Sequence, residues 1–301
     1  MSNKKEKVLI FGGSGQIGSR AKILLAEKYK VTAPSRQQVD ITKRIEVENF
    51  IKSSQPNQIF YSIGFTSIDK GPEQPKEAFM LNAGGLYYVC HLAKVLDIPV
   101  HFLSTEVVFN GRKTDSPYNE SDNPDPLSFL AQTKRIGELV TLNESAKNSV
   151  TRLVICYSAS YNRKLDIARM VVKNLTQGDI FTSTTDQEIN PIYVDHLIGA
   201  ISLIIENRAS GIYHVGAKDY TTPYQFSKKI AKSLNLDAKL IKSTTFSKFS
   251  KTRPELRPQH EWLDVSKFLK DFGKGSLFTI DEGIEAFRKE YLSLTSTSTS
   301  A

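Results

Sequence analysis

The stretch Lys7-Val8-Leu9-Ile10-Phe11-Gly12-Gly13-Ser14-Gly15-Gln16-Ile17-Gly18 decides how the rest of the chain is read. Val8 to Phe11 have the composition of a buried strand. Ile17, Ala21, Leu24 and Leu25 then recur at helical spacing, which predicts a helix from about Gln16. Between strand and helix, Gly12, Gly15 and Gly18 stand at every third position. The first permits a turn too tight for a Cβ, the second lets backbone approach a pyrophosphate, and the third lets the helix lie on the strand. The unpaired amides and positive dipole end of that helix then face the phosphates. Glycine triplets alone are weak evidence, but here strand and helix flank them as the motif requires. Gly12, Gly15, Gln16, Ile17 and Gly18 are therefore expected to hold a dinucleotide.

A second strand, Lys30 to Ala33, ends at Pro34-Ser35-Arg36. In dinucleotide folds this strand end meets the adenosine ribose, where an acid favours NAD and an arginine suits the 2′-phosphate of NADP. Arg36 favours NADP, with NAD the alternative. Asp40-Ile41-Thr42 precede a helix carrying Val47, Phe50 and Ile51. Asp40 and Ile41 are assigned to the cofactor, although Asp40 or Thr42 would also serve as an N-cap. Gln58 to Gly64 read as a third strand, with Gly64 where a cofactor would lie close. One long helix is expected from about Pro75 to Leu96, followed by a fourth strand, Pro99 to Thr105, that ends in two hydroxyls. This βαβαβαβ order predicts an α/β fold with a doubly wound parallel sheet of Rossmann type. Ligands in such sheets sit at the carboxyl ends of the strands, and Gly12, Arg36, Gly64, Ser104 and Thr105 all fall there.

Asn110 to Pro126 read as a long loop of the kind that is often functional. A helix carrying Lys134, Ile136 and Val140 follows, then a fifth strand over Val150 to Cys156. Further helices are expected around Ile167–Leu175, Leu197–Ile205 and after Thr222, with short strands at Asp179–Phe181 and Gly211–Val215. Arg253 to Leu263 form a Pro/Arg-rich loop over the site, and a last helix runs from Ile280 to Tyr291. The expected division is an NAD(P)-binding domain over 1–160, with the helix at 195–207 packing back on it. A smaller C-terminal α/β substrate-binding region covers 161–292, and 293–301 form a disordered tail.

Composition narrows the function. The 301 residues are 40% hydrophobic and 24% charged, as in ordinary globular proteins. No apolar run approaches a membrane span, and the N-terminus lacks the apolar core of a signal peptide. A cytoplasmic protein with no membrane partner is expected. Cys90, Cys156 and the five scattered histidines give neither a disulfide framework nor a metal-ligand spacing, so no metal is expected. The net charge of +8 is spread along the chain without a basic cluster interleaved with aromatics. That argues against nucleic acid and for attraction of an anionic nucleotide substrate.

Several motifs recur together: Gly12-x-x-Gly15-x-x-Gly18, Asp40-Ile41-Thr42, Phe65-Thr66-Ser67-Ile68-Asp69-Lys70, Asn82, and Ser104-Thr105-Glu106-Val107-Val108-Phe109-Asn110-Gly111. Tyr118-Asn119-Glu120, Thr133-Lys134-x-x-Gly137-Glu138, Pro191-Ile192-Tyr193-Val194-Asp195, Gly211-Ile212-Tyr213-His214 and Arg257-Pro258 continue the series. In this order and spacing the chain resembles the extended short-chain dehydrogenase/reductases, and among them the dTDP-4-dehydrorhamnose reductases. The resemblance implies NAD(P)H-dependent reduction of a nucleotide-linked keto-sugar. It implies that Lys134 holds the nicotinamide ribose, that Thr105 hydrogen-bonds the substrate carbonyl, and that Ser104 lies at the cofactor. It also implies a tyrosine one helical turn before the lysine as proton donor, its pKa lowered by that cation.

Leu130 occupies that position here. The family's Ser-Thr-Asp-Tyr reads Ser104-Thr105-Glu106-Val107, and its aromatic after the fifth strand is Ile155. Two readings follow. One is a reductase or epimerase acting on a related sugar nucleotide with another donor, for which Tyr118 is assigned and Tyr157, Glu106 or a water held by Lys134 and Thr105 are alternatives. The other is a catalytically inactive NAD(P)-binding regulatory subunit, like the methionine adenosyltransferase regulatory subunit, which resembles the same family. The enzyme reading is preferred because both Lys134 and Thr105 remain. Partners left open are a homodimer mate or a regulatory partner protein.

Overall fold

A computed structural model describes residues 5–161 and 163–298. In chain order its strands are β1 (Lys7–Phe11), β2 (Lys30–Thr32), β3 (Gln58–Tyr61), β4 (Val100–Thr105), β5 (Ser149–Leu153), β6 (Cys156–Tyr157), β7 (Phe181–Thr184), β8 (Ile192–Tyr193), β9 (Gly211–Val215) and β10 (Ile241–Thr244). The helices are α1 (Gln16–Leu24), α2 (Arg44–Ser54), α3 (Pro75–Phe79), α4 (Gly85–Val95), α5 (Phe129–Glu144), α6 (Ile167–Thr176), α7 (Val194–Glu206), α8 (Pro223–Ser233), α9 (Phe246–Ser250), α10 (Ser266–Phe272) and α11 (Ile280–Ser298).

Six strands form one parallel sheet in the order β2-β1-β3-β4-β5-β9. The pleat of β1 explains its unbroken apolar run. Val8 and Ile10 point to one face, with Leu197, Ile201 and Ile204 of α7. Leu9 and Phe11 point to the other, with Val47 and Ile51 of α2 and Leu86 and Val89 of α4. A strand covered on both faces has no polar alternation to show. Each such side chain contributes ~1.5–3 kcal/mol on full burial. The chain leaves β1 for β2 on one side and returns for β3 on the other, so the crevice at the carboxyl ends of β1 and β3 is the switch point where ligands of such sheets bind.

The C-terminal half adds a third core, in which Val171 and Leu175 of α6, Phe226 and Ile230 of α8, and Ile284 and Phe287 of α11 are all buried. Two small parallel pairs, β10–β7 and β6–β8, lie beside it. Charged and polar groups tie this half to the glycine turn. Arg20 of α1 grips Asp195 with two bonds of 2.5 and 2.6 Å. The Gln16 amide donates to Asp166 Oδ2 at 3.1 Å, and that carboxylate is held by Arg169.

Four expectations need correction. The helix expected over Pro75–Leu96 is broken by a π turn at Met80–Gly84, where Asn82 turns inward to bond the backbone of Phe65 and the Thr133 hydroxyl. The fifth strand stops at Leu153, and Cys156–Tyr157 pairs instead with β8. The short strand expected at Asp179–Phe181 lies at Phe181–Thr184. The tail expected to be disordered from residue 293 continues α11 as far as Ser298. Its hydroxyls bond back within the helix, Thr295 Oγ1 donating to the Tyr291 carbonyl and Ser296 Oγ to that of Ser293. Residues 299–301 lie outside the described residues.

Candidate active site

The glycine turn has the shape that a diphosphate requires. Gly12 has φ +97°, and a Cβ there would stand 2.7 Å from Ser62 Oγ. A Cβ on Gly18 would stand 2.1 Å from the Gly12 carbonyl oxygen, so α1 rests directly on the turn. A Cβ on Gly15 meets only that same oxygen, at 3.4 Å. Gly15 is the N-cap of α1 and supplies no side-chain acceptor, which leaves the first amides of the helix for an anion. Ile17 packs against the core, and Gln16 turns its side-chain amide toward Asp166 while bordering a recess with Gly13 and Ser14.

At the end of β2, Arg36 is 72% exposed and only loosely paired with Glu77, at 3.9 Å. It borders a recess of about 510 Å³ lined also by Thr42, Gln74 and Met80. Asp40 lies nearby, but its Oδ1 accepts from the amide and hydroxyl of Thr42, at 3.0 and 2.8 Å. Asp40 closes a local turn and is not the N-cap of α2, which is Lys43. Ile41 is buried under α4, where a Cβ on Gly85 would meet its carbonyl at 2.7 Å.

Helix α5 brings the central lysine into place. Ser128 caps it by accepting from the Ala131 amide. Leu130, Ala131, Thr133, Lys134, Gly137, Glu138 and Thr141 form its buried stripe. At Gly137 a Cβ would lie 2.3 Å from the Asn82 carbonyl, so α5 presses against the π turn. Lys134 is 7% exposed. Its Nζ donates to the Leu103 carbonyl at 2.8 Å and lies 4.7 Å from the Phe102 ring centre. Burial lowers its pKa to about 8, opposed by the Glu138 carboxylate. A Cβ on Gly64 would stand 2.9 Å from this Nζ, so the glycine leaves the lysine its room.

Thr105 ends β4, two residues after the Leu103 that Lys134 bonds, and its Oγ1 donates to Glu106 Oε2 at 2.6 Å. Burial holds the Glu106 carboxyl above the usual carboxylate range. The same is true of Glu261, which burial and the Glu106 charge raise and Arg257 opposes. Glu261 lines a cleft of about 420 Å³ together with Ile68, Ile155, Met170, Arg253 and Arg257. Arg257 is anchored to Asp69 at 2.6 Å, and Arg253 lies 4.0 Å from the same carboxylate.

Two assignments made from the sequence do not survive. Ser104 is buried and donates to Glu138 Oε1 at 2.6 Å, so its hydroxyl is turned into the sheet–α5 seam and not toward a cofactor. Tyr118 is not placed to act as an acid. Its ring stacks on Phe109, 4.3 Å between centres. Its hydroxyl donates to Asn110 Oδ1 and accepts from the Lys113 amide, at 2.9 and 3.1 Å. Both functions of that phenol are spent within its own loop. Tyr157 is likewise sealed in the third core.

The whole arrangement from turn to cleft has counterparts elsewhere. A profile of the RmlD substrate binding domain matches residues 6–292. The chain belongs to the RmlD substrate binding domain family. A probable low-salt glycan biosynthesis reductase of Haloferax volcanii is 28% identical over 241 residues, 78% of each chain. A dTDP-4-dehydrorhamnose reductase of Aggregatibacter actinomycetemcomitans is 27% identical over 282 residues, 89% of this chain and 93% of that one. The crystal structure of dTDP-4-dehydrorhamnose reductase from Bacillus anthracis in complex with NADP superposes with a TM-score of 0.88 at 23% identity, covering 95% of this chain and 99% of that one.

Within this RmlD-type framework the donor position is closed by hydrocarbon. Leu130 packs in one buried cluster with Phe65, Ala78, Val107 and Ala131. Leu130 and Val107 stand where the resemblance implies two tyrosines, and both now fill the same cluster. Sequence reading missed Glu261 as a site residue. It lies in the segment anticipated as a covering loop, but no spacing rule connects it with Glu106.

Proposed function

We propose that this chain is a cytosolic NADPH-dependent reductase of a nucleotide-linked keto-sugar. The observation that carries the reading is the placing of three parts at the carboxyl ends of the strands: the glycine turn after β1, Thr105 at the end of β4 with Lys134 bonded to the Leu103 carbonyl of the same strand, and a cleft lined by Arg253, Arg257 and Ile155, which follows β5. In this reading the amides of the Gly12–Gly18 turn and α1 bind the diphosphate, and Arg36 binds the 2′-phosphate. Lys134 holds the nicotinamide ribose, and the reduced nicotinamide supplies a hydride to the sugar carbonyl carbon. Thr105 orients the carbonyl oxygen by hydrogen bond. Arg253 and Arg257 attract the diphosphate of the sugar nucleotide. The unpaired Cys90 and Cys156 fit a reducing compartment. The RmlD-type relatives whose names describe reductases support the same assignment.

A silent regulatory subunit is the competing reading, and Leu130 favours it. The cleft carrying Arg253, Arg257 and Glu261 favours the enzyme. The deciding experiment incubates the chain with NADPH and a panel of nucleotide-linked keto-sugars while following nicotinamide absorbance and product mass. Oxidation of NADPH matched by a product two hydrogens heavier supports the reductase. Tight NADPH binding with no product from any member of the panel supports the regulatory reading.

A further inference from the structure

With Leu130 unable to donate a proton, a different source must lie near Thr105. Glu106 opens the short turn after β4 and is 8% exposed. Its Oε2 stands 2.6 Å from Thr105 Oγ1. Glu261 lines the cleft on a backbone fixed by a hydrogen bond from its amide to the Glu188 carbonyl at 2.9 Å. Among the described residues no cation lies within ion-pair distance of either carboxylate. The neighbouring Arg257 is committed to Asp69. The two carboxyl groups are thus close enough for the Glu106 charge to act on Glu261, and neither has a counter-ion of its own.

We propose that Glu106 and Thr105 form the proton path of the reductase, with Glu261 as the positioning partner of Glu106. This inference rests on the reductase reading. When Glu106 carries the proton, the bond to Thr105 reverses, with Glu106 Oε2–H donating and Thr105 Oγ1 accepting. The Thr105 hydroxyl is then free to point at the carbonyl oxygen of the keto-sugar. As hydride from the reduced nicotinamide reaches the carbonyl carbon, the Thr105 O–H bond breaks and its proton passes to the nascent alkoxide. The Glu106 proton moves to Thr105 Oγ1, so threonine is unchanged. Glu106 is left as carboxylate and recovers its proton from solvent through the cleft. One carbonyl becomes an alcohol, one nicotinamide is oxidised, and one proton is taken up.

Desolvation raises Glu106, and at Glu261 the Glu106 charge adds to desolvation. The groups that act on Glu106 are Thr105 on β4, by hydrogen bond, and Glu261 on the covering segment, by charge; Arg257 acts on Glu261, and Lys134 on α5 is bonded to the Leu103 carbonyl. Lys134 also titrates on the alkaline side, so a pH profile must separate the two. The Glu261→Gln substitution does this, because it acts on Glu106 and not on Lys134.

The test uses the full chain with Glu106→Gln and Glu261→Gln. Glutamine at 106 still accepts from Thr105, so NADPH affinity by fluorescence should stay within about twofold of the unsubstituted chain. Turnover should fall by roughly 10²–10⁴-fold. In Glu261→Gln the alkaline limb of the rate should move to lower pH. Carbon-13 NMR of labelled glutamate carboxyls, without cofactor, should find the carboxyls of Glu106 and Glu261 titrating above the usual range, with one of them lost in Glu106→Gln and the Glu261 carboxyl lowered by the same substitution. Turnover of Glu106→Gln within threefold of the parent overturns the proposal, as does the absence of any high-titrating carboxyl. An unsubstituted chain that binds NADPH but reduces no keto-sugar overturns the reductase reading itself, a different outcome from an active Glu106→Gln.

Discussion

Arg152 and Glu138 are joined by a two-pronged ion pair, 2.8 Å on each arm, with side chains 1% and 0% exposed. The same carboxylate accepts from Ser104 and Arg135, and Arg152 donates on to His214 Nε2 at 3.3 Å. His214 Nδ1 faces the Tyr118 carbonyl at 3.0 Å, so its proton sits on Nδ1. Burial and the Arg152 charge lower the pKa of this imidazole to about 3 and keep it neutral. The network fastens α5 to β4, β5 and β9, and so fixes where Lys134 emerges.

Breaking one half of that pair should be costly, since it strands a buried charge. Arg152→Met is expected to lose ~3–5 kcal/mol of unfolding free energy. The double variant Glu138→Leu/Arg152→Met should lose less than the sum of the single changes. Urea unfolding checks both. A single-variant loss below about 1 kcal/mol would mean the network is not a structural tie.

The glycines of the turn should separate into two kinds. Gly18→Ala places a methyl 2.1 Å from the Gly12 oxygen and is expected to destabilise the fold. Gly15→Asp meets only that oxygen, at 3.4 Å, and should leave the melting temperature nearly unchanged. Its carboxylate would occupy the anion position at the α1 terminus, so NADPH binding should be abolished in fluorescence titration. Unchanged binding by Gly15→Asp would remove the diphosphate from this turn.

Arg36 should set the choice of coenzyme. A charged hydrogen bond to a phosphate contributes ~1.5–3 kcal/mol, equal to roughly 10–100-fold in affinity. Arg36→Ser is expected to weaken NADPH by that factor and leave NADH unaffected. Equal weakening of both coenzymes would mean that Arg36 does not contact the 2′-phosphate.

Lys134 should leave a pH signature in stability. Its pKa is lowered by burial to about 8 in the folded chain, against ~10.4 when unfolded. Between these values the unfolded state binds more protons, so folded stability rises with pH, by up to ~1.4 kcal/mol per unit. The parent chain should gain stability relative to Lys134→Met from pH 8 upward, and the gap should level off above about 10.5. A gap that stays constant over this range would place the ammonium in water.

Much of this was legible in advance where one residue type answers to one physical demand. The run Val8–Phe11 and the glycines after it could be read because both faces of β1 are covered and the turn admits no side chain. Asn82 was harder. Its side chain unwinds one turn of helix by bonding Phe65 and Thr133, and apolar periodicity does not record that competition. Tyr118 looked available because it lies in a polar loop, yet stacking on Phe109 makes it core. Gly64 lies against Lys134 Nζ, a tertiary contact that its place at a strand end does not reveal. Strand β10 escaped notice because Lys242 and Ser243 are exposed and only Ile241 is buried. The Glu106–Glu261 approach is purely tertiary, since the two residues come from distant segments.

The most direct test of the central claim follows the hydride itself. NADPH carrying deuterium at the transferable position of the nicotinamide is supplied with a nucleotide-linked keto-sugar, and the product is examined by mass spectrometry and NMR. The account predicts one deuterium on the sugar carbon that had been the carbonyl, in step with NADPH consumed. Saturating NADPH binding with no label in any sugar would contradict it.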